Sequence, residues 1–223
     1  MDLSSRPPGG FCSILFDFDG VILDSARLKT EAFVHCYAGA PEDRLREIVA
    51  YQERHGGIGR REKFAHFERT LFGRSGDAAT VDELCARFAR HVDTAMLEAP
   101  FIPGALEALR ALSDRMPLHL VSGMPEIELR QVVEKRGLAP FFASIDGSPT
   151  TKLTAFRRIL DERRTAPTHA LAIGDSLTEY DAACALGIPF LAVRADGAPD
   201  FFPPHVPRRR DLLGLAELVL TSA

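Results

Sequence analysis

Residues 12–25, CSILFDFDGVILDS, constrain the fold more than any other stretch of the chain. Positions 13–18 are apolar except for Ser13 and Asp17. A near-continuous run of Ile, Leu and Phe predicts a strand buried on both faces, as in a parallel sheet. The run closes on Asp17, Asp19 and Gly20. Two carboxylates and a glycine are a poor way to end a core strand. At the carboxyl end of a parallel strand, where open α/β sheets bind ligands, they suit a hard cation held against a phosphate.

The periodicity then changes. From about 25 to 99, apolar residues recur at helical spacing: Leu28, Ala32, Phe33 and Cys36, then Leu45, Ile48 and Val49 with Gln52 in the same series, then Phe64, Phe67 and Leu71, then Val81, Leu84, Phe88 and Val92. Four helices are predicted. The first covers 25–38, the second opens with Pro41 at its first position, the third covers 60–72, and the fourth follows a loop at 73–77. HGGIG at 55–59 reads as a flexible break.

After 101–104 strands return, at 117–121, 141–145, 169–173 and 188–193. Helices are predicted over 104–115, 125–136, 152–164, 178–186 and 211–220, with Gly137 and Gly187 as C-terminal stops. A Pro-rich loop fills 196–210. Strands alternating with helices predict an α/β fold, a Rossmann-like parallel sheet core with helices on both faces and right-handed crossovers. The helical stretch is a cap inserted after the first strand. The expected division is a core of 1–24 and 101–223 and a cap of 25–100.

The strand ends carry chemistry. The first gives Asp17 and Asp19, the second Ser122 and Gly123, the fourth Asp175, and Lys152 stands between the third and fourth. Taken alone, Ser122 is an ordinary strand-to-loop serine and Lys152 an ordinary exposed lysine. Parallel strands bring their carboxyl ends to one sheet edge, so these groups can converge.

The motifs FDFDGVILDS, LVSG, Lys152 and GDSLTEYDAA, with FIPGALEALRAL after the cap, resemble those of the haloacid dehalogenase superfamily. The similarity lies with its helical-cap subgroup of phosphoglycolate phosphatase- and β-phosphoglucomutase-like enzymes, and it spans about 14–220. The resemblance implies an aspartyl-phosphate mechanism with Asp17 as nucleophile and Asp19 as general acid and base. It implies Ser122, Gly123 and Lys152 on the phosphoryl oxygens. Asp17, Asp19 through its carbonyl, Asp175 and Glu179 would hold Mg²⁺. Position 179 departs from the family pattern, which has Asp there. The basic loop HGGIGRREKF resembles the family's specificity loop, implying substrate contacts from Gly57 and Arg60, with Arg61 and Lys63 adding positive charge.

The implied function is a Mg²⁺-dependent phosphatase acting on a small phosphorylated metabolite, a sugar phosphate or similar. Asp19 separates it from dehalogenases and phosphonatases of the family, which lack an Asp there. A phosphomutase shares all these motifs and stays open. A non-catalytic phosphate- or metal-binding regulator would be expected to lack some of them.

A net charge of −4 gives no basic surface for nucleic acid or anionic membrane. No apolar run approaches a membrane span. The first ten residues, MDLSSRPPGG, read as a short disordered tail without the apolar stretch of a signal peptide. The four cysteines are too scattered for a zinc site or a dense disulfide framework. The expectation is a cytoplasmic enzyme with reduced thiols, monomeric or homodimeric.

Overall fold

The computed structural model describes residues 7–220; most of the expected N-terminal tail lies outside them. Among the described residues, six parallel strands form one sheet: β1 Ser13–Phe16, β2 Leu118–Pro125, β3 Ser144–Ser148, β4 Ala170–Gly174, β5 Phe190–Val193 and β6 Arg208–Arg209. Their order is β3-β2-β1-β4-β5-β6. β1 is central, paired with β2 (Ile14 opposite Leu118) and with β4 (Ile14 opposite Leu171). The chain winds outward from β1 in both directions, so the crevice where the winding reverses lies at the ends of β1, β2 and β4.

Side chains alternate across each strand. Ile14, Phe16, Leu118, Leu120, Leu171 and Ile173 face one core layer. That layer is covered by α5 (Ala105–Ser113), α6 (Glu126–Lys135) and α9 (Leu215–Leu220). Leu15, Val121, Ala170 and Ala172 face the other layer, covered by α7 (Lys152–Arg163) and α8 (Leu177–Leu186). The sheet is therefore buried on both faces, which is why its strands read as unbroken apolar runs.

Between β1 and β2 lies the helical cap: α1 Ala26–Cys36, α2 Glu42–Arg54, α3 Arg60–His66 and α4 Ala78–Glu98. Asp77 caps α4 by accepting from the Thr80 N–H at 3.0 Å. Phe33 is the hub of the cap core. Its ring centroid lies 5.0 Å from Phe64, 5.7 Å from Phe67 and 4.6 Å from Phe88. Phe64 and Phe67 are fully buried, as core residues rather than ligand contacts.

Several boundaries differ from expectation. Pro41 precedes α2 as its cap instead of opening it. The third cap helix ends in a wider π turn, Phe67–Leu71, closed by the Phe72 N–H on the Phe67 carbonyl at 3.2 Å. Phe141 belongs to a 3₁₀ turn, Ala139–Phe141, with Pro140 at its second position, so the third strand starts at Ser144 instead. β6 lies inside the Pro-rich stretch expected to be loop, pairing Arg208 with Ala192. All four cysteines are free thiols, with Cys12 and Cys184 exposed and Cys36 buried.

One buried titratable group sits in the sheet away from its active edge. His119 on β2 is 2% exposed, with Nδ1 2.7 Å from Ser144 Oγ and Nε2 without a partner among the described residues. Burial, aided by Arg163 and Arg158, pushes it down to about 4. Its folded value lies below the unfolded one, so the unfolded chain binds the extra proton. Stability is then complete above about pH 6.5 and is lost as pH falls toward 4, by roughly 3 kcal/mol. His119→Leu is expected to flatten the melting-temperature profile across that window. An unchanged slope in the variant would show that His119 does not set it.

Candidate active site

Asp17 follows β1 directly. Its backbone N–H donates to the Ile173 carbonyl at 2.9 Å, continuing the sheet and fixing the carboxylate at its edge. Gly20 turns the chain with φ +74°, and its N–H donates to the Leu23 carbonyl at 2.7 Å. A Cβ at Gly20 would lie 2.1 Å from Asp175 Oδ2. Glycine is thus required there by conformation and by space. Asp175 follows β4, and Ser122 sits on β2.

Lys152 is the first residue of α7, whose N-terminus is capped by Thr151 accepting from Thr154 N–H at 3.2 Å. A cation there opposes the helix dipole. Pairing offsets this: Nζ lies 2.5 Å from Asp17 Oδ1 and 2.9 Å from Glu179 Oε1, and donates to the Val121 carbonyl. Burial alone would lower the Lys152 pKa; Asp17 and Glu179 outweigh it and raise it. Glu179 caps α8 as well. Its Oε2 accepts from the Ser176 N–H at 3.1 Å and from the Ser176 hydroxyl.

Asp17, Asp175 and Glu179 offer carboxylate oxygens all within 4.8 Å of one another. Burial pushes Asp17 up to about 7, with Glu179 and Asp19 adding to it against Lys152. Burial, then Asp17 and Glu179, push Asp175 well above the usual carboxylate range. Three carboxyls face the single ammonium of Lys152, so the metal-free cluster holds protons that a bound cation would replace. An all-oxygen donor set of carboxylates held this close together fits Mg²⁺.

Asp19 takes a different environment. It accepts from Ser25 Oγ at 2.6 Å, from Lys29 Nζ, and from Ser122 Oγ at 3.5 Å. Burial would raise its pKa, but Lys29 and Ser25 outweigh it and hold it below the usual value. Ser122 also accepts from the Met124 N–H at 3.2 Å. Lys29 belongs to the cap, and the sequence reading missed it. Its signal was there: Ser25 and Lys29 are one helical turn apart, directly after the first motif.

The loop at 55–59 is seated on the core. Gly57 N–H donates to Ser176 Oγ at 3.2 Å. A Cβ on Gly57 would meet Glu179 Oε1 at 2.3 Å, and one on Gly123 would meet the Gly57 carbonyl at 2.5 Å. Neither residue has a positive φ. Both glycines allow the loop and the core backbone to approach closely. Arg60, 7% exposed, pairs with Glu128 of α6, and its guanidinium lies 5.2 Å from the Phe88 ring centroid. Its Nη1 has no partner among the described residues. Arg61 turns outward to Asp82, and Asp181 is exposed.

At the seam of cap and core lies a partly open cavity of about 50 Å³, lined by Asp17, Asp19, Asp175, Gly123, Arg60 and Lys63 among others. Gly57 and Lys29 line it too. Ser122 and Lys152 line an adjoining open groove of about 820 Å³ that shares Gly57, Arg60 and Gly123. No helix among the described residues is long and apolar enough to cross a membrane.

A doubly wound sheet whose strand ends gather carboxylates and a lysine beneath a helical cap defines a class of hydrolase. The chain belongs to the haloacid dehalogenase-like hydrolases, whose family model matches residues 13–187. Within that family it is a phosphatase. It is 31% identical over 198 residues to a phosphoglycolate phosphatase of Mesorhizobium japonicum, covering 81% of each chain. It is 30% identical over 192 residues to one of Rhodospirillum rubrum, covering 81% of this chain and 78% of the relative. The fold is shared with the magnesium-bound HAD hydrolase YfnB of Bacillus subtilis, at a TM-score of 0.71 and 20% identity over 95% of this chain and 100% of that one.

Proposed function

We propose that the protein is a Mg²⁺-dependent phosphatase that hydrolyses a small phosphorylated metabolite through an aspartyl-phosphate on Asp17. The observation that carries this reading is the convergence of Asp17, Asp19, Ser122, Lys152 and Asp175 at one sheet edge, under a cap that supplies its own cations. Asp17 attacks phosphorus and the bond to the leaving oxygen breaks. Asp19 protonates that oxygen, then takes a proton from the water that cleaves the acyl phosphate. Ser122, Gly123 and Lys152 hold the phosphoryl oxygens. Asp17, Asp175, the Asp19 carbonyl and Glu179 would hold the metal, which when bound offsets the charge of the transferring group.

Lys29 holds Asp19 ionised. Substrate must therefore displace Lys29 before Asp19 can act as an acid. Arg60, which lines the cavity and has a buried Nη1 without a partner among the described residues, contacts the substrate in this reading. The division into a core of 1–24 and 101–223 and a cap of 25–100 is part of it. So is a cytoplasmic enzyme, monomeric or homodimeric. The names of the curated relatives make 2-phosphoglycolate the first substrate to try, and the magnesium named for the Bacillus structure supports the metal.

Phosphate release from a panel of phosphorylated metabolites, with Mg²⁺ and with excess chelator, tests the reading. Release is expected only with Mg²⁺, reversibly, with Ca²⁺ a poor substitute. Full activity in chelator would overturn the metal, and phosphate returned to the substrate in place of water would make the enzyme a mutase.

A further inference from the structure

Ser176 stands where the cap loop rests on the core, and its hydroxyl is fully used. It accepts from the Gly57 N–H of the cap at 3.2 Å and from the Thr178 N–H of α8 at 3.2 Å, and it donates to Glu179 Oε2. A serine hydroxyl has one hydrogen to give and two lone pairs to accept with. All three are engaged, on a residue 5% exposed. The loop lies close against it: a Cβ on Gly56 would meet Ser176 Cβ at 3.2 Å.

The other oxygen of Glu179, Oε1, lies 2.9 Å from the Lys152 ammonium, which in turn lies 2.5 Å from Asp17. A continuous polar chain therefore runs from a backbone amide of the cap to the cation beside the nucleophile. Hydrogen bonds in a buried chain polarise one another. The Gly57 N–H draws on Ser176 Oγ, which strengthens that hydroxyl as a donor to Glu179 and steadies the carboxylate against Lys152. With the loop lifted, one lone pair of Ser176 empties and the carboxylate is held less firmly. We infer that Ser176 is a positioning residue, whose hydroxyl makes the placement of Lys152 depend on the seating of the cap loop. Its effect on turnover rests on the phosphatase reading; the coupling itself rests on the hydrogen bonds. Lys152 is then best ordered for a phosphoryl group only while the cap covers the site, when water is shut out.

Ser176→Ala and Ser176→Gly both remove the hydroxyl. They differ as helix caps, because glycine at that position costs a helix little and alanine more. A role in capping alone would set the Ala variant apart and leave the Gly variant near the wild type; the inference expects both to fail alike. Hydrogen exchange followed by NMR in the substrate-free protein should show the Gly57 amide and the Lys152 ammonium exchanging about 10-fold faster in both variants, with melting temperature as the fold control. On a phosphate ester that the wild type hydrolyses, kcat should fall about 10-fold, with KM changed less. Unchanged exchange at Gly57, faster exchange at Gly57 with Lys152 unchanged, or a loss confined to the Ala variant overturns the inference. So does an unchanged kcat in a variant whose Lys152 exchanges faster. The exchange measurements need no turnover. If the wild type hydrolyses no ester while both variants free Gly57 and Lys152, the coupling stands and the phosphatase reading fails alone.

Discussion

Asp17→Asn is expected to lower phosphate release by roughly 10⁴- to 10⁶-fold, the scale seen when a covalent nucleophile is removed. The amide is isosteric but has no lone pair suited to attack on phosphorus. A denaturing quench of the wild-type enzyme with labelled substrate should trap acid-stable, base-labile label on protein, and the variant should trap none. The fold is expected to survive. Asp17 sits in a cluster that holds three carboxylates against Lys152, and burial already pushes it up to about 7. Removing one negative charge relieves that excess, so the metal-free variant should melt no lower than the wild type. Multiple turnover by purified Asp17→Asn protein would sink the covalent assignment.

Lys152→Met is expected to damage both activity and stability. Lys152 is 4% exposed, and its ammonium lies 2.5 Å from Asp17 and 2.9 Å from Glu179. Truncating the cation leaves buried carboxylates without an offsetting charge. Breaking a buried pair in this way costs about 3–5 kcal/mol, or roughly 6–20 °C in melting temperature for a chain of this size. Mg²⁺ should then raise the melting temperature of the variant more than that of the wild type, because the cation replaces part of the lost charge. A Lys152→Met protein as stable as wild type in chelator would mean that the pair is not holding the site together.

The sequence made the β1 ending and its partners legible because each lies at a strand end or a helix start, where periodicity breaks. Asp17, Ser122, Lys152 and Asp175 all interrupt apolar runs or open helices. The third strand was misplaced because Phe141 and Phe142 look like strand residues, yet Pro140 stands second in a 3₁₀ turn there. The strand itself is SIDGS, whose polar residues carry no strand signal. β6 is two residues long and leaves no period to detect. Lys29 was passed over because helical periodicity is read from apolar residues, whereas Lys29 is a charged side chain drawn inward by Asp19. Gln52 and Lys63 show the converse. Gln52 stood in an apolar series, and a polar residue in such a place signals a partner, here the buried Lys63.

The extra methylene at position 179 also acquires a meaning. One oxygen of Glu179 reaches back to the start of its own helix, and the other reaches forward to the lysine of the neighbouring helix. A shorter side chain would have to give up one of these anchors. Through this single carboxylate the first turn of α8 and the ammonium of Lys152 form one mechanical unit. Fraying at the helix start would loosen the lysine, and a lysine drawn away toward phosphate would tug on the helix start. Length at this position, more than charge, ties local backbone order to the placement of a reacting group.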